Sequence, residues 1–152
     1  MREDRVTIRV SESIEIARPR EAVWDYTQDY SRRADWDVGV RNAQLIGEEP
    51  RRAHLELAGL GPVTAEYRLY RRPERTSLAF TEVRSRWVVG GGGSWDYQTV
   101  PAGTRWTQTN TLVLRPGVRS RLLAPLVRAR LAASTRRSLR RAKRLLESLE
   151  SG

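Results

Sequence analysis

The chain has 152 residues, a formal charge of +10 at neutral pH, one histidine and no cysteine. A length of this order predicts one domain, residues 1–152, burying roughly two-thirds of its unfolded surface. The lack of cysteine excludes disulfides, thiolate nucleophiles and zinc–cysteine sites, and a lone histidine excludes a multi-histidine centre, so the reading includes no metal and no cofactor.

Residues 1–5 lead straight into a strand pattern without the apolar core of a signal peptide. No apolar run is long enough to cross a bilayer, and the reading is a soluble cytoplasmic protein. Val6, Ile8, Val10, Ile14 and Ile16 share one parity, as a half-buried strand requires. Glu12 has the same parity, so either a bulge intervenes or a carboxylate faces inward. Arg18-Pro19-Arg20-Glu21 opens a helix with Pro19 at its first position, and Val23, Trp24 and Tyr26 give it an apolar side. Asp29-Tyr30-Ser31 reads as the cap of a second short helix ending near Trp36. Six strand patterns follow, at residues 41–48, 52–57, 63–70, 76–84, 94–100 and 104–114. Their breaks fall at Glu49-Pro50, Gly59-Leu60-Gly61-Pro62, Arg72-Pro73-Glu74, the glycines 90–93 and Pro101-Ala102-Gly103. Connections this short between consecutive strands imply an antiparallel meander.

The tail, residues 120–150, contains no glycine, and its one proline, Pro125, lies near the start, where a first helical turn tolerates it. Val127, Leu131, Thr135, Ser138, Ala142, Leu145 and Leu149 recur at steps of three and four, one stripe along a helix of about seven turns. Residues 119–152 carry ten basic and two acidic side chains, net +8 of the total +10. Such a helix is either a solvated face or a docking surface for nucleic acid or an anionic membrane. Arginine supplies 27 of the 28 basic residues, as a GC-rich coding sequence would, which favours the solvated face. No nucleic-acid-binding motif is present, so nucleic acid is not an expected partner, while peripheral contact with a membrane stays open.

One strand, two short helices, six strands and a long helix make an α+β arrangement: a seven-stranded antiparallel sheet curled around the C-terminal helix it buries. The opening Ile14-Glu15-Ile16-Ala17-Arg18-Pro19-Arg20-Glu21-Ala22-Val23-Trp24-Asp25, followed by Asp29 and Trp36, resembles that of the START-like (SRPBCC) superfamily, which includes polyketide cyclase/dehydrase and Bet v 1-like proteins. The closing Leu139-Arg140-Arg141-Ala142-Lys143-Arg144-Leu145-Leu146-Glu147 resembles the last helix of such proteins. The resemblance covers the whole chain in element order. It implies a helix-grip fold with an internal cavity between sheet and C-terminal helix. It implies no single activity, since the superfamily holds lipid carriers, ligand sensors and cyclases alike, and this chain carries no specific cyclase signature.

Parity selects the residues that would face such a cavity. Leu112 and Leu114 bring Trp106, Gln108 and Asn110 to their own face and send Thr107, Thr109 and Thr111 to the other. A buried amide without a partner costs about 1–3 kcal/mol. Gln108 and Asn110 therefore either orient the oxygen atoms of a ligand or bond to each other, to water or to neighbouring backbone. Trp95 and Tyr97 share a parity on the preceding strand. With Trp106, Tyr67, Phe80 and Trp87 they are candidates for an aromatic lining suited to flat or elongated apolar ligands, the alternative for each being plain core. Trp36 either caps the pocket or fills the joint between helix and sheet, and Val127 and Leu131 are the helix's share of the lining. Glu82 has the parity of Leu78 and Phe80, so a regular strand turns it inward, where it could act as general acid or base; an ion pair with an arginine is the alternative. His54 and Glu56 alternate with Ala53 and Leu55 and face solvent. The glycines at 90–93 are expected to form a flexible lip at the cavity mouth.

The first functional reading is the binding of a hydrophobic small molecule: a lipid, isoprenoid or polyketide-like compound. The second is a cofactor-independent polyketide cyclase or dehydratase, with Glu82 or a tyrosine moving the proton. The third makes the basic helix a docking surface for RNA, ribosome or anionic membrane. Ligand identity and oligomeric state are not written in the sequence.

Overall fold

Alternating apolar and polar residues build the sheet. In the computed structural model, which describes residues 5–149, the strands are β1 (Val6–Ile16), β2 (Val40–Glu48), β3 (Arg51–Leu57), β4 (Gly61–Arg71), β5 (Arg75–Val83), β6 (Val88–Val100) and β7 (Gly103–Leu114). They form one antiparallel sheet in the order β1-β7-β6-β5-β4-β3-β2, so the meander closes by pairing the last strand with the first. Helix α1 (Arg20–Thr27), a 3-10 turn (Tyr30–Arg32) and helix α2 (Arg33–Trp36) fill the β1–β2 connection, and α3 (Val118–Leu149) ends the described chain. This is the helix-grip fold, with α3 held against the sheet.

The pairing of β1 with β7 runs unbroken from Val6↔Leu114 to Ile16↔Thr104. Glu12 therefore needs no bulge: it faces α3, and Arg136 of that helix meets its carboxylate at 2.7 Å. In α1 the predicted apolar side, Val23, Trp24 and Tyr26, is buried, and Pro19 stands at the N-cap, one residue earlier than expected. The Asp29 carboxylate accepts from the Ser31 amide at 3.0 Å, capping the turn that leads into α2. The β3–β4 turn needs left-handed backbone, with φ of 80° at Gly59 and 90° at Gly61, which glycine adopts without a steric cost.

Two expectations fail for backbone reasons. The glycine run is no lip. Strand β6 passes straight through it, with Gly92 paired to Thr111 on one side and to Ala79 on the other. A Cβ on Gly92 would lie 2.3 Å from the Leu78 carbonyl oxygen, so glycine is what lets β5 come this close. Pro125 sits inside α3, well past its first turn, because the helix begins at Val118. The Arg121 carbonyl thereby loses its helical donor, but both residues are exposed and water can replace it.

The core has distinct parts. Trp24, Trp36, Trp95, Tyr97 and Trp106 pack with Leu139, Ala142 and Leu146 from the C-terminal half of α3. Ile8, Val88, Leu112 and Leu114 meet the N-terminal half only through the half-buried Ala124, Val127 and Leu131. The predicted stripe holds at Thr135, Ser138 and Ala142, which are buried, and widens by one residue to take in Leu139 and Leu146, whereas Leu149 is exposed and Glu150 lies outside the described residues. Not all of the α3 charge is simply solvated. Along the edge strand β1, Arg128 donates to the Arg9 carbonyl (3.0 Å) and Lys143 to the Glu15 carbonyl (2.6 Å). Glu147 accepts from Lys143 (2.8 Å) and from the Ala17 amide (2.9 Å), and these two donors hold its carboxyl below the usual range. Such contacts also protect an edge strand from pairing with another chain.

Candidate functional site

Short side chains on α3 leave a gap above the sheet. The lining that the helix contributes is Val127, Leu131, Ser134, Thr135 and Ser138 with Arg130, and β6 opposes it with Gly92 and Gly93. None but Arg130 is long, and the space between is a cavity of about 450 Å³. Leu55, Leu78, Phe80, Trp95 and Leu112 make most of its wall apolar. Ala58 and Gly59 of the β3–β4 turn and Arg130 line it and are exposed, which places the mouth between that turn and the helix.

Of the predicted residues, Tyr67, Phe80, Trp95, Gln108, Asn110, Val127 and Leu131 meet in this cavity. Trp36, Tyr97 and Trp106 do not: they lie beneath it as packed core. Trp36 contacts Trp106 edge-on at 5.3 Å between ring centroids and so fills the joint between α2 and the sheet. Tyr97 stacks on Trp106 at 6.0 Å, and its hydroxyl bonds to Thr27 (2.7 Å) and to the Gln28 amide (2.9 Å). Trp87 is 46% exposed and outside the cavity, because it precedes β6 at the sheet's end.

Glu82 is also outside. Thr64 pairs with Glu82 but Ala65 pairs with Phe80, so Thr81 is an extra residue in β5. That bulge reverses the parity after Phe80. Val83 packs against the core instead, and the Glu82 side chain is 59% exposed beside Arg84 at 3.6 Å. Glu82 is therefore not a cavity acid, and the ion-pair alternative is the one the structure adopts. His54 is exposed, as its parity required.

The two amides differ in their satisfaction. Asn110 Nδ2 donates to Thr135 Oγ1 at 3.0 Å and to Gln108 Oε1 at 3.3 Å, and the Thr135 hydroxyl donates in turn to the Leu131 carbonyl at 2.8 Å. Gln108 is 3% exposed, and its Nε2 has no hydrogen-bond partner among the described residues. At the inner end Arg33 and Asp37 form a buried ion pair at 2.7 Å. The guanidinium lies over the rings of Trp95 (4.6 Å) and Trp36 (5.2 Å). Burial alone would lower the Arg33 pKa, but Asp37 together with Tyr30 and Tyr67 outweighs it and the pKa is raised, so the guanidinium keeps its charge. Asp37 also accepts from Ser138 Oγ at 3.3 Å, which ties α2 to α3. On the β4 side the Tyr67 and Tyr30 hydroxyls share a short hydrogen bond. Burial, and then the neighbouring Tyr67, push the Tyr30 phenol far above its ordinary pKa.

The sequence profile of a family described as "Polyketide cyclase / dehydrase and lipid transport" matches residues 7–147. The chain belongs to that family. Among solved structures, this polyketide cyclase/dehydrase family member is similar to the Zhui aromatase/cyclase from Streptomyces sp. R1128, at 17% identity and a TM-score of 0.76, over 93% of this chain and 94% of that one. It is also similar to a protein from Thermus thermophilus, at 18% identity and a TM-score of 0.75, over 95% and 99% of the two chains. A third likeness is to the di-domain ARO/CYC BexL from the BE-7585A biosynthetic pathway, at 18% identity and a TM-score of 0.72. There the match covers 90% of this chain but only 49% of the di-domain protein, about half its length. Identities this low establish a shared fold. No curated protein sequence matches the chain.

Within this family member, Arg33, Asp37, Thr76 and Thr135 line the site although parity did not select them. One signal was available: Arg33 and Asp37 stand four apart, the spacing of a helical ion pair. The arrangement can enclose an apolar molecule, offer it the Gln108 N–H and present a neutralised ion pair at its inner end.

Proposed function

We propose that this polyketide cyclase/dehydrase family member binds a hydrophobic small molecule carrying an acceptor oxygen, with its apolar body against Phe80, Trp95 and Leu112. The observation that carries the reading is the Gln108 Nε2 group, buried on the wall of an apolar cavity with no partner among the described residues. A volume of about 450 Å³ falls in the range of ligand pockets, roughly 300–1,000 Å³. Flat aromatic rings on the wall suit a polyketide-like or isoprenoid guest, and a carbonyl at Gln108 would satisfy the orphan donor. Mass spectrometry of the protein isolated under native conditions tests the reading, together with quenching of Trp95 emission by added aromatic polyketides and prenyl compounds. Co-purifying apolar molecules or saturable quenching support it. A cavity that quenches with none of them and carries nothing from the cell sinks it.

A second reading makes the same cavity a cyclase or dehydratase. Tyr67 favours it, being a phenol that reaches the cavity while hydrogen-bonded to Tyr30, the arrangement a proton donor to an enolising carbonyl requires. Tyr67→Phe would then remove turnover of a poly-β-keto substrate while leaving its binding within about twofold. Equal turnover in both proteins discards this second reading and leaves the first untouched.

A further inference from the structure

The first half of α3 turns an apolar face away from the protein. Val118, Leu122 and Leu126 follow one another at four-residue steps, and they are 71%, 74% and 51% exposed. Residues of that spacing form one ridge along a helix, and the packed residues Ala124, Val127 and Leu131 are on the opposite side. The ridge continues onto the end of the sheet. The Arg115 amide donates to the Trp87 carbonyl at 2.7 Å, which brings Trp87 and Val89, 46% and 38% exposed, to the end where α3 begins. A surface hollow at that end is lined by Arg5, Val89, Arg115 and Pro116.

Arginines flank this ridge. Arg119 and Arg121 lie on either side of it, Arg115 stands at its foot, and all three are exposed without an ion pair among the described residues. The chain has no acidic residue between Asp96 and Glu147. We propose that this surface docks onto an anionic lipid bilayer, with Val118, Leu122, Leu126 and Trp87 entering the headgroup–acyl boundary and the arginines reaching lipid phosphates. An apolar helical ridge bordered by cations, with a tryptophan at the interface, is the composition that lies in a membrane surface. The arginine stems extend along the apolar boundary while their heads stay at phosphate level. A second copy of the chain is the poorer occupant, since stacking two such ridges would set their arginines against one another, like charge on like charge. Arg130, one turn beyond Leu126, also lines the cavity mouth, so the docked face and the mouth share one stretch of helix.

The test is co-sedimentation of the full chain with two kinds of vesicle: pure phosphatidylcholine, and phosphatidylcholine containing one-third phosphatidylglycerol. The expected result is partitioning onto the anionic vesicles that is at least tenfold stronger than onto the neutral ones and weakens as salt is raised. Leu122→Asp with Leu126→Asp should lower it more than tenfold, and Arg119→Glu with Arg121→Glu likewise. These side chains are exposed, and a thermal melt checks that the variants fold. Should one not, quenching of Trp87 emission by brominated lipid in the unaltered protein, absent in Trp87→Phe, reads the same contact. Absence of anionic-vesicle binding, equal binding to both vesicles or indifference to both double variants overturns the proposal. So does a dimer in sedimentation velocity that the leucine variants dissociate. None of these outcomes depends on whether the cavity holds a ligand.

Discussion

Replacing Gln108 with leucine should stabilise the empty protein and weaken it as a binder. Nε2 is buried with no partner among the described residues, and a buried donor left unbonded costs about 1–3 kcal/mol. Leucine has nearly the same volume and removes the orphan donor. What is lost is one bond, Asn110 to Gln108 Oε1, and at 3.3 Å it belongs at the weak end of the roughly 0.5–1.5 kcal/mol range. Asn110 keeps its 3.0 Å bond to Thr135. The balance is a gain of about 1 kcal/mol, or about 2–4 °C in Tm for a chain of this size. A ligand whose oxygen accepts from Gln108 loses that bond in the variant, and about 1.4 kcal/mol of loss is a tenfold rise in Kd. Thermal unfolding of both proteins without ligand, and a Trp95 quenching titration with one, measure the two effects. The reasoning is refuted if Gln108→Leu melts lower than the parent, because Gln108 would then be serving the fold.

Three further outcomes follow from the geometry. Gly92→Ala should destabilise by about 1–3 kcal/mol in chemical denaturation, since its methyl meets the Leu78 carbonyl oxygen and β5 must part from β6. An unchanged midpoint would mean that the strands yield freely there. Glu82→Gln should alter neither ligand Kd nor, beyond about 0.5 kcal/mol, stability, because the side chain is at the surface beside Arg84; a lost activity in this variant would return Glu82 to the site. Burial raises the pKa of Tyr30 and of Tyr97 above the ordinary phenol value. Below a pH of about 10 both phenols keep their protons in either state; above it only the unfolded chain releases them, so stability falls as pH rises past about 10. The tyrosinate absorbance of these two should accordingly appear only with loss of the folded signal, and ionisation of all five tyrosines in a protein that stays folded would contradict the burial.

The strand order and the grip of the last helix were legible because each rests on a period: two in the strands, three and four in the helix. The same parity placed Trp95, Gln108 and Asn110 on the cavity wall. It failed at Glu82 because a single extra residue, Thr81, reverses every side chain beyond it, and nothing in Phe-Thr-Glu-Val announces a bulge. It misjudged depth as well: Trp106 and Trp95 point the same way and both pack edge-on against Trp36, yet only Trp95 lines the cavity, because parity gives a side chain's face and not its depth along the strand. The glycine run was misread because glycine signals a break in isolation, whereas here the absent Cβ is a packing requirement between strands. Arg33 escaped notice since a lone arginine ordinarily belongs to solvent; only the fold shows that Asp37 and two indole rings replace its water.

The two halves of α3 are not anchored alike. Past Thr135 the helix is fastened on one side to β1, through Arg136, Lys143 and Glu147, and on the other to α2, through Ser138. Before Arg136 the hydrogen bonds joining it to the sheet, among the described residues, are Arg128 to the Arg9 carbonyl and Asn110 to Thr135. The rest of its hold on the sheet is the packing of Ala124, Val127 and Leu131 against Ile8, Val88, Leu112 and Leu114. The roof of the chamber is therefore tied down by fewer bonds over the mouth than at its C-terminal end.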